Sequence, residues 1–207
     1  MGIEDFKTPS GKLSSKPGRA TANYNGKGAI LEDVEKLIDD LSKIEQQAEK
    51  IDEPEQFILG LLAGEGSLMV NIHKSDRYNS GIDIRSAAQI TLSKSDYKVL
   101  VMIHHILDIG SLSIEGNGGV TWKVQSQKEC RVLADWISDN TMFKHTKKYE
   151  SYIVWEDCLS MIERGEHLTK DGIEQIAALR DTINYYSASA RSKDQVMEIV
   201  EESLTSK

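Results

Sequence analysis

From Ile30 to Ile51 the apolar side chains Ile30, Val34, Leu37, Leu41, Ile44, Ala48 and Ile51 recur at alternating steps of four and three. That spacing predicts an amphipathic helix with acids on its other faces, either a short coiled coil or, the preferred reading, a helix packed on its own domain. Pro54 and Glu55 open a second helix whose apolar run ends FILGLLAGEGSL over 57–68, with proline suited to a first turn. After Gly66 the period drops to two. Leu68, Val70 and Ile72 alternate with Ser67, Met69, Asn71 and His73, which predicts a strand with one apolar and one mostly polar face. A turn, SDRYNSG at 75–81, leads to a second strand with Ile84, Ala88, Ile90 and Leu92 inward and Arg85, Gln89, Thr91 and Ser93 outward. Its parity slips near Ser86-Ala87, as at a bulge.

Ser93 or Ser95 caps a helix expected over about 94–107, and Gly110 follows as a stop signal. SLSIE at 111–115, the turn GNGG and VTWKVQS at 120–126 read as a second hairpin. In it Leu112, Ile114, Val120, Trp122 and Val124 alternate with Ser113, Glu115, Thr121, Lys123 and Gln125. Helices are expected at about 127–139, 148–164, 170–186 and 191–204. The plan is α+β: two hairpins forming one four-stranded antiparallel sheet with helices on a single face. The other face is polar, and Ser67, Asn71, His73, Arg85, Gln89, Thr91, Thr121, Lys123 and Gln125 could donate to or accept from base edges in a major groove. Any solvated antiparallel sheet also has a polar outer face, so this signal alone is weak.

Composition refines the picture. At 207 residues and 39% hydrophobic content the chain can bury a real core. No apolar stretch approaches the roughly 20 residues that cross a bilayer, and MGIEDFKTPSG lacks a secretory apolar core, so no membrane role and an intracellular setting are expected. Cys130 and Cys158 show no ligand spacing and read as reduced packing cysteines. The net charge of −8 is uneven: residues 1–28 carry +3, 29–55 carry −7, 56–149 carry +2 and 150–207 carry −6. A nucleic-acid partner is therefore not excluded by the acidic total, nor suggested by charge alone. Residues 1–28 read as a flexible basic arm and 29–53 as a helical extension; 54–187 form the main domain, and 188–207 a C-terminal amphipathic helix and tail. GKG at 26–28 is no phosphate loop, because Thr21 replaces the first glycine and Gly28 stands where Ser or Thr is required.

The helix ending at Glu65 carries the chemistry. Gly60 and Gly64 lie four apart with Ala63 beside them, so one stripe has almost no side chains and backbones can approach closely there. Two copies packed along that stripe about a twofold axis would bring both Glu65 carboxylates together. Such carboxylates repel unless cations neutralise them, and hard oxygen ligands beside phosphates suit Mg²⁺. Metal-assisted phosphodiester hydrolysis is the reaction such a pair serves. Judged on the residues alone, a helix end carrying a solvated acid is the stronger reading.

FILGLLAGEGSL resembles the motif of the LAGLIDADG homing endonucleases. The likeness continues through SLMVNI, AQITLSKSDYKVLVMIHHILDIGSLS, VTWKVQSQKECRVLADWI, TKKYESYIVWEDCLSMI and LTKDGIEQIAALRDTIN, from about Pro54 to Asn184. The resemblance implies an αββαββα core with a saddle-shaped sheet over double-stranded DNA and the motif helices at the subunit interface. It also implies a homodimer, since one motif is present, cutting both strands of a long near-palindromic site in an intron- or intein-linked role. By position it assigns metal binding to Glu65 and the Gly64 carbonyl, with Mg²⁺ or Mn²⁺ active and Ca²⁺ a non-catalytic substitute. It assigns the basic residue near the scissile phosphate to Lys147, or Lys148 if the match is shifted by one, and a water-organising or DNA-touching place to Gln89. Gly60, Ala63 and Gly64 fall at the subunit contact. Ala63 stands where many members carry the motif's first acid, and the N-terminal extension has no counterpart. An RNA-splicing maturase or a non-cleaving DNA or RNA binder on the same fold is the alternative. The host compartment, bacterial or archaeal cytoplasm or an organelle, stays open.

Overall fold

The structure, a computed structural model, describes Lys43 and residues 52–115, 118–183 and 191–205. The basic arm over 1–28 and the apolar stripe from Ile30 to Ile51 lie outside the described residues. In chain order the elements are α1 (Pro54–Glu65), β1 (Gly66–Lys74), β2 (Ile82–Ser93), a 3₁₀ turn (Lys94–Asp96), α2 (Tyr97–Leu107), β3 (Ser111–Ile114) and β4 (Gly119–Val124). There follow α3 (Gln127–Ser138), a 3₁₀ turn (Thr141–His145), α4 (Lys148–Glu163), a 3₁₀ turn (Glu166–Leu168), α5 (Lys170–Arg180) and α6 (Lys193–Thr205). The strands make one antiparallel sheet in the order β1-β2-β4-β3. The fold is α+β, as the alternation of periods predicted.

The chain resolves into two compact units. The first runs to Ser67 and takes in Gln89–Val124; the second takes in Leu68–Ala88 and the residues from Gln125 onward. In the first unit α1 begins at Pro54 without a side-chain cap and buries Ile58, Leu59 and Leu62. Helix α2 buries Leu100, Val101, Ile103 and Leu107 and lies on β3 and β4. Those two strands pair antiparallel with Leu112 opposite Trp122 and Ser113 opposite Thr121. Trp122 is fully buried, and its indole N–H donates to the Ile109 carbonyl at 2.9 Å, so the one polar atom of the ring is satisfied. Replacing Trp122 with Phe leaves that buried carbonyl unpaired and opens a void. The expected loss is about 2–4 kcal/mol, read as a lowered midpoint in urea unfolding.

In the second unit the helices bury one stripe each: Cys130, Leu133, Ala134 and Ile137 from α3; Tyr152, Trp155, Cys158, Leu159, Met161 and Ile162 from α4; Ile173, Ile176 and Ala177 from α5. Tyr152 stacks on Tyr149 with ring centroids 5.7 Å apart and donates its hydroxyl to the Ala134 carbonyl at 2.9 Å. On the solvent side Arg131 of α3 holds α4 through Glu156 at 2.9 Å and Glu163 at 2.7 Å. Neither cysteine is in a disulfide and both are buried, and burial pushes each thiol up to about 12, so neither is a reactive thiolate.

Several details differ from the periodic reading. On β2, burial falls on every even position from Ile82 to Ile90, so parity is kept where a slip was expected. Ser86 takes an inward place, and Ala87 beside it is buried as well. The backbone carbonyl of Ser86 accepts from the Cys130 thiol at 3.4 Å, which a hydrophobicity pattern does not register. Helix α5 ends at Arg180 rather than near 186. There the Arg180 guanidinium turns onto Asp181, at 2.6 Å, and onto the Arg191 carbonyl, at 2.5 Å. The 3₁₀ turns at Thr141–His145 and Glu166–Leu168 are too short to carry a period.

Candidate active site and sheet surface

The helix-to-strand junction puts an acid in the open. Glu65 is the last residue of α1, and β1 begins at Gly66 with no intervening loop. The Gly66 N–H donates to the Leu62 carbonyl, closing the helix. A Cβ at Gly66 would run into that carbonyl oxygen and come within 2.5 Å of Leu62 Cδ1, so only glycine lets the strand start this close to the helix. The result is that Gly64 and Glu65 are exposed while Leu62 and Gly66 on either side are buried.

The apolar helix therefore has two faces of different kinds. One buries Ile58, Leu59 and Leu62; on the other, no atom among the described residues lies within 4 Å of a Cβ built at Gly60 or Gly64. On that side Phe57 is 52% exposed.

The Glu65 carboxylate and the Gly64 carbonyl, in a last helical turn whose carbonyls lack intrahelical partners, are hard oxygen donors. They fit Mg²⁺, which takes one or two carboxylates and keeps its waters. Among the described residues no group of three or more His, Cys, Asp or Glu side chains could hold a metal ion.

The polar sheet positions divide between the units. In the first, Ser67, Gln89 and Lys123 are half-buried and Thr91 is exposed. Thr121 departs from the exposed place expected of it: it is 2% exposed, because its hydroxyl meets that of Thr91 at 2.8 Å. Thr91 thus covers Thr121, and the two act as one polar patch. In the second unit Asn71 is half-buried while His73 and Gln125 are exposed. Arg85 is exposed but not a bare cation, since Asp83 holds it at 2.7 Å. Asp83 was missed in the sequence, although residues two apart on a strand share a face and a D-x-R pair was legible there.

Lys147 is exposed at the N-cap of α4, also in the second unit, and Lys148 after it is half-buried. The segment before it is anchored by Phe143, buried and edge-on to Tyr152 with centroids 6.1 Å apart. The Thr146 hydroxyl and backbone N–H both close back on the Phe143 carbonyl, at 2.8 and 3.0 Å. An exposed lysine on a tethered backbone, with Lys144 and His145 exposed just upstream, makes a basic strip at a helix N-terminus. Lys147 was expected here from the resemblance; Lys144 and His145 beside it were not.

Comparison with known proteins bears on this geometry. Residues 58–159 match the family model described as LAGLIDADG endonuclease. The Neurospora crassa "Probable intron-encoded endonuclease 2" is 28% identical over 137 residues, covering 62% of this chain and 29% of the relative. An uncharacterized 50.9 kDa protein in ND4 intron 1 of Podospora anserina is 29% identical over 116 residues, covering 55% and 25%. The chain thus spans well under half the length of these relatives. Among solved structures, the homing endonuclease I-TnaI superposes with a TM-score of 0.63 at 20% identity, over 73% of this chain and 98% of that one. The archaeal intron-encoded homing endonuclease I-Vdi141I, solved with DNA, gives 0.64 at 21%, over 72% and 95%. I-SmaMI, bound to cleaved DNA, gives 0.61 at 23%, over 67% of this chain but 46% of that one. At these identities the likeness is one of fold.

Proposed function

We propose, from the LAGLIDADG endonuclease family domain that this chain carries over residues 58–159, that it is a homodimeric, site-specific endonuclease that hydrolyses both strands of a long near-palindromic DNA target. The observation that carries the reading is the glycine ledge of α1, with no described residue against Gly60 or Gly64, Phe57 exposed and the exposed Glu65 at its end. Coverage of nearly all of I-TnaI and I-Vdi141I but less than half of I-SmaMI also supports a one-repeat chain that needs a second copy. The DNA-bound state of I-Vdi141I and I-SmaMI supports duplex DNA as the ligand. The intron setting of the fungal relatives supports a role in intron mobility, in whichever compartment holds the intron.

In this reading Glu65 and the Gly64 carbonyl of each copy would hold Mg²⁺. When bound, the ion polarises the scissile phosphate and lowers the pKa of an attacking water. The chain's own residues do the rest. The ledge brings the two Glu65 carboxylates to one axis and so aligns the two cuts. Gln89, half-buried on β2, is suited to hold a water by its amide. Lys147 offers a cation to the charge that develops on the phosphate oxygens. Ser67, Asn71, His73, Arg85, Thr91, Lys123 and Gln125 face the groove, with Asp83 restraining Arg85 and Thr121 contributing through Thr91.

Lys147→Ala is expected to lower kcat by roughly 100-fold with little change in KM, the scale seen when one transition-state donor is removed. Lys147→Arg should recover part of that loss, and Lys148→Ala should leave kcat within severalfold. The reverse order would move the role to Lys148. The reading as a whole is tested by incubating the full chain with a plasmid carrying the joined-exon form of its host gene, in Mg²⁺ or in EDTA. Linear product in Mg²⁺ alone supports it. An intact plasmid together with specific retention of the unspliced intron RNA would favour the maturase alternative.

A further inference from the structure

Helix α6 reaches the turn between β1 and β2, and both lie in the second unit. Gly81, the last residue of that turn, has φ +70°. A Cβ there would collide with the Ser203 hydroxyl and lie 3.0 Å from Ser203 Cβ and 3.5 Å from Ile199 Cγ2. Val196, Ile199, Val200 and Ser203 share one helical stripe by spacing, and Val196 and Val200 are fully buried. So the stripe that seats α6 also touches the turn.

The helix is itself held at its start. Lys193 N–H donates to Asp181 at 3.3 Å, and Arg180 binds both Asp181 and the Arg191 carbonyl. Lys193–Glu174 and Lys170–Glu201, each 2.9 Å, link it to α5, though as exposed pairs they add little. The turn is hydrogen-bonded at its root and exposed at its tip. Ser75 N–H donates to the Gly81 carbonyl at 2.7 Å and Gly81 N–H to the Tyr78 carbonyl at 3.0 Å. Ser80 and Gly81 are buried, whereas Asp76, Arg77 and Asn79 are exposed. Arg and Asn suit guanine and adenine edges.

We infer that α6 is a positioning element that sets the β1–β2 turn for sequence readout, with Ser203 and Ile199 pressing on Gly81. The DNA half of this rests on the endonuclease reading. A loose turn pays ordering entropy on every encounter with DNA, while a braced one presents Arg77 and Asn79 in one geometry.

The Ser203→Leu variant of the full chain separates the two. Without DNA, amides of residues 75–82 should exchange about tenfold faster than in the wild type, while amides of α4 are unchanged. In binding-site selection from a randomised duplex pool with Ca²⁺, the variant should lose sequence preference at one contiguous block in each half-site. The remaining positions should keep theirs. Ile199→Ala, which adds no bulk, should show the same pattern more weakly and replaces Ser203→Leu if that variant does not fold. Wild-type exchange at 75–82 in Ile199→Ala would overturn the brace. Faster exchange with an unchanged or uniformly weakened preference would overturn the readout role. A wild-type chain that selects no duplex would overturn the endonuclease reading, and the readout role with it, even if the turn still loosens.

Discussion

Glu65→Gln should abolish strand cleavage, by roughly 1,000-fold or more, while sequence-specific binding survives; several kcal/mol of charge stabilisation is lost with one ligand charge. The substitution keeps the size and shape of the side chain. Glu65 is exposed, and the junction it occupies is built by Leu62 and Gly66, so the fold has no reason to respond. Thermal midpoints of variant and wild type should therefore agree. In EDTA the variant should bind DNA at least as tightly as the wild type, because on the proposed reading an uncompensated carboxylate would lie against the phosphates and repel them. Cleavage assays and filter binding on the same duplex check both halves. Wild-type cutting by Glu65→Gln would remove the acid from the mechanism, and lost binding would make it a DNA-positioning residue.

Gly60→Leu should divide folding from assembly. Among the described residues nothing lies within 4 Å of a Cβ at Gly60, so within one copy a larger side chain meets no described neighbour there at its Cβ. It should even stabilise an isolated α1 by about 1 kcal/mol through helix propensity. In a dimer packed along that ledge, the same side chain from each copy overfills a close backbone crossing, and the dimer dissociation constant should rise roughly 100-fold or more. Sedimentation should show a folded monomer in place of a dimer, and double-strand cleavage should fall in parallel. A dimer of unchanged stability would sink the ledge as the interface. So would a wild type that sediments as a monomer at concentrations where it cuts DNA.

Much of the fold was legible because each element announces itself locally. Alternation in Leu68-Val70-Ile72 and in Val120-Trp122-Val124 can only bury one face of a strand, and those residues are buried. Proline at position 54 and the glycine after Glu65 bracket α1 for steric reasons that need no neighbours. What the pattern missed depends on partners distant in sequence. Ser86 is polar by composition but inward in place, with its carbonyl bonded to Cys130 across 44 positions. Thr121 was expected in solvent and is buried because Thr91, 30 positions earlier, lies over it. Helix α5 stops at Arg180, where the Thr182 and Ile183 N–H groups close i→i−3 turns on the Leu179 and Arg180 carbonyls, and the Arg180 guanidinium reaches a carbonyl 11 residues on, which no window over 170–186 reveals.

The candidate site divides the same way. Sequence alone determined the greasy helix with two bare glycines and one terminal acid, since spacing on a helix is fixed by its turn. Tertiary structure decided that Ile58, Leu59 and Leu62 go into the core, which leaves the glycine stripe on a face that no described residue meets within 4 Å of a Cβ at Gly60 or Gly64. It also decided that Arg85 is paired and that Lys147 stands on a backbone anchored by Phe143. The C-terminal helix shows the division most plainly. Its stripe of Val196 and Val200 predicts burial against something, but only packing could bring Ser203 against a left-handed glycine at 81.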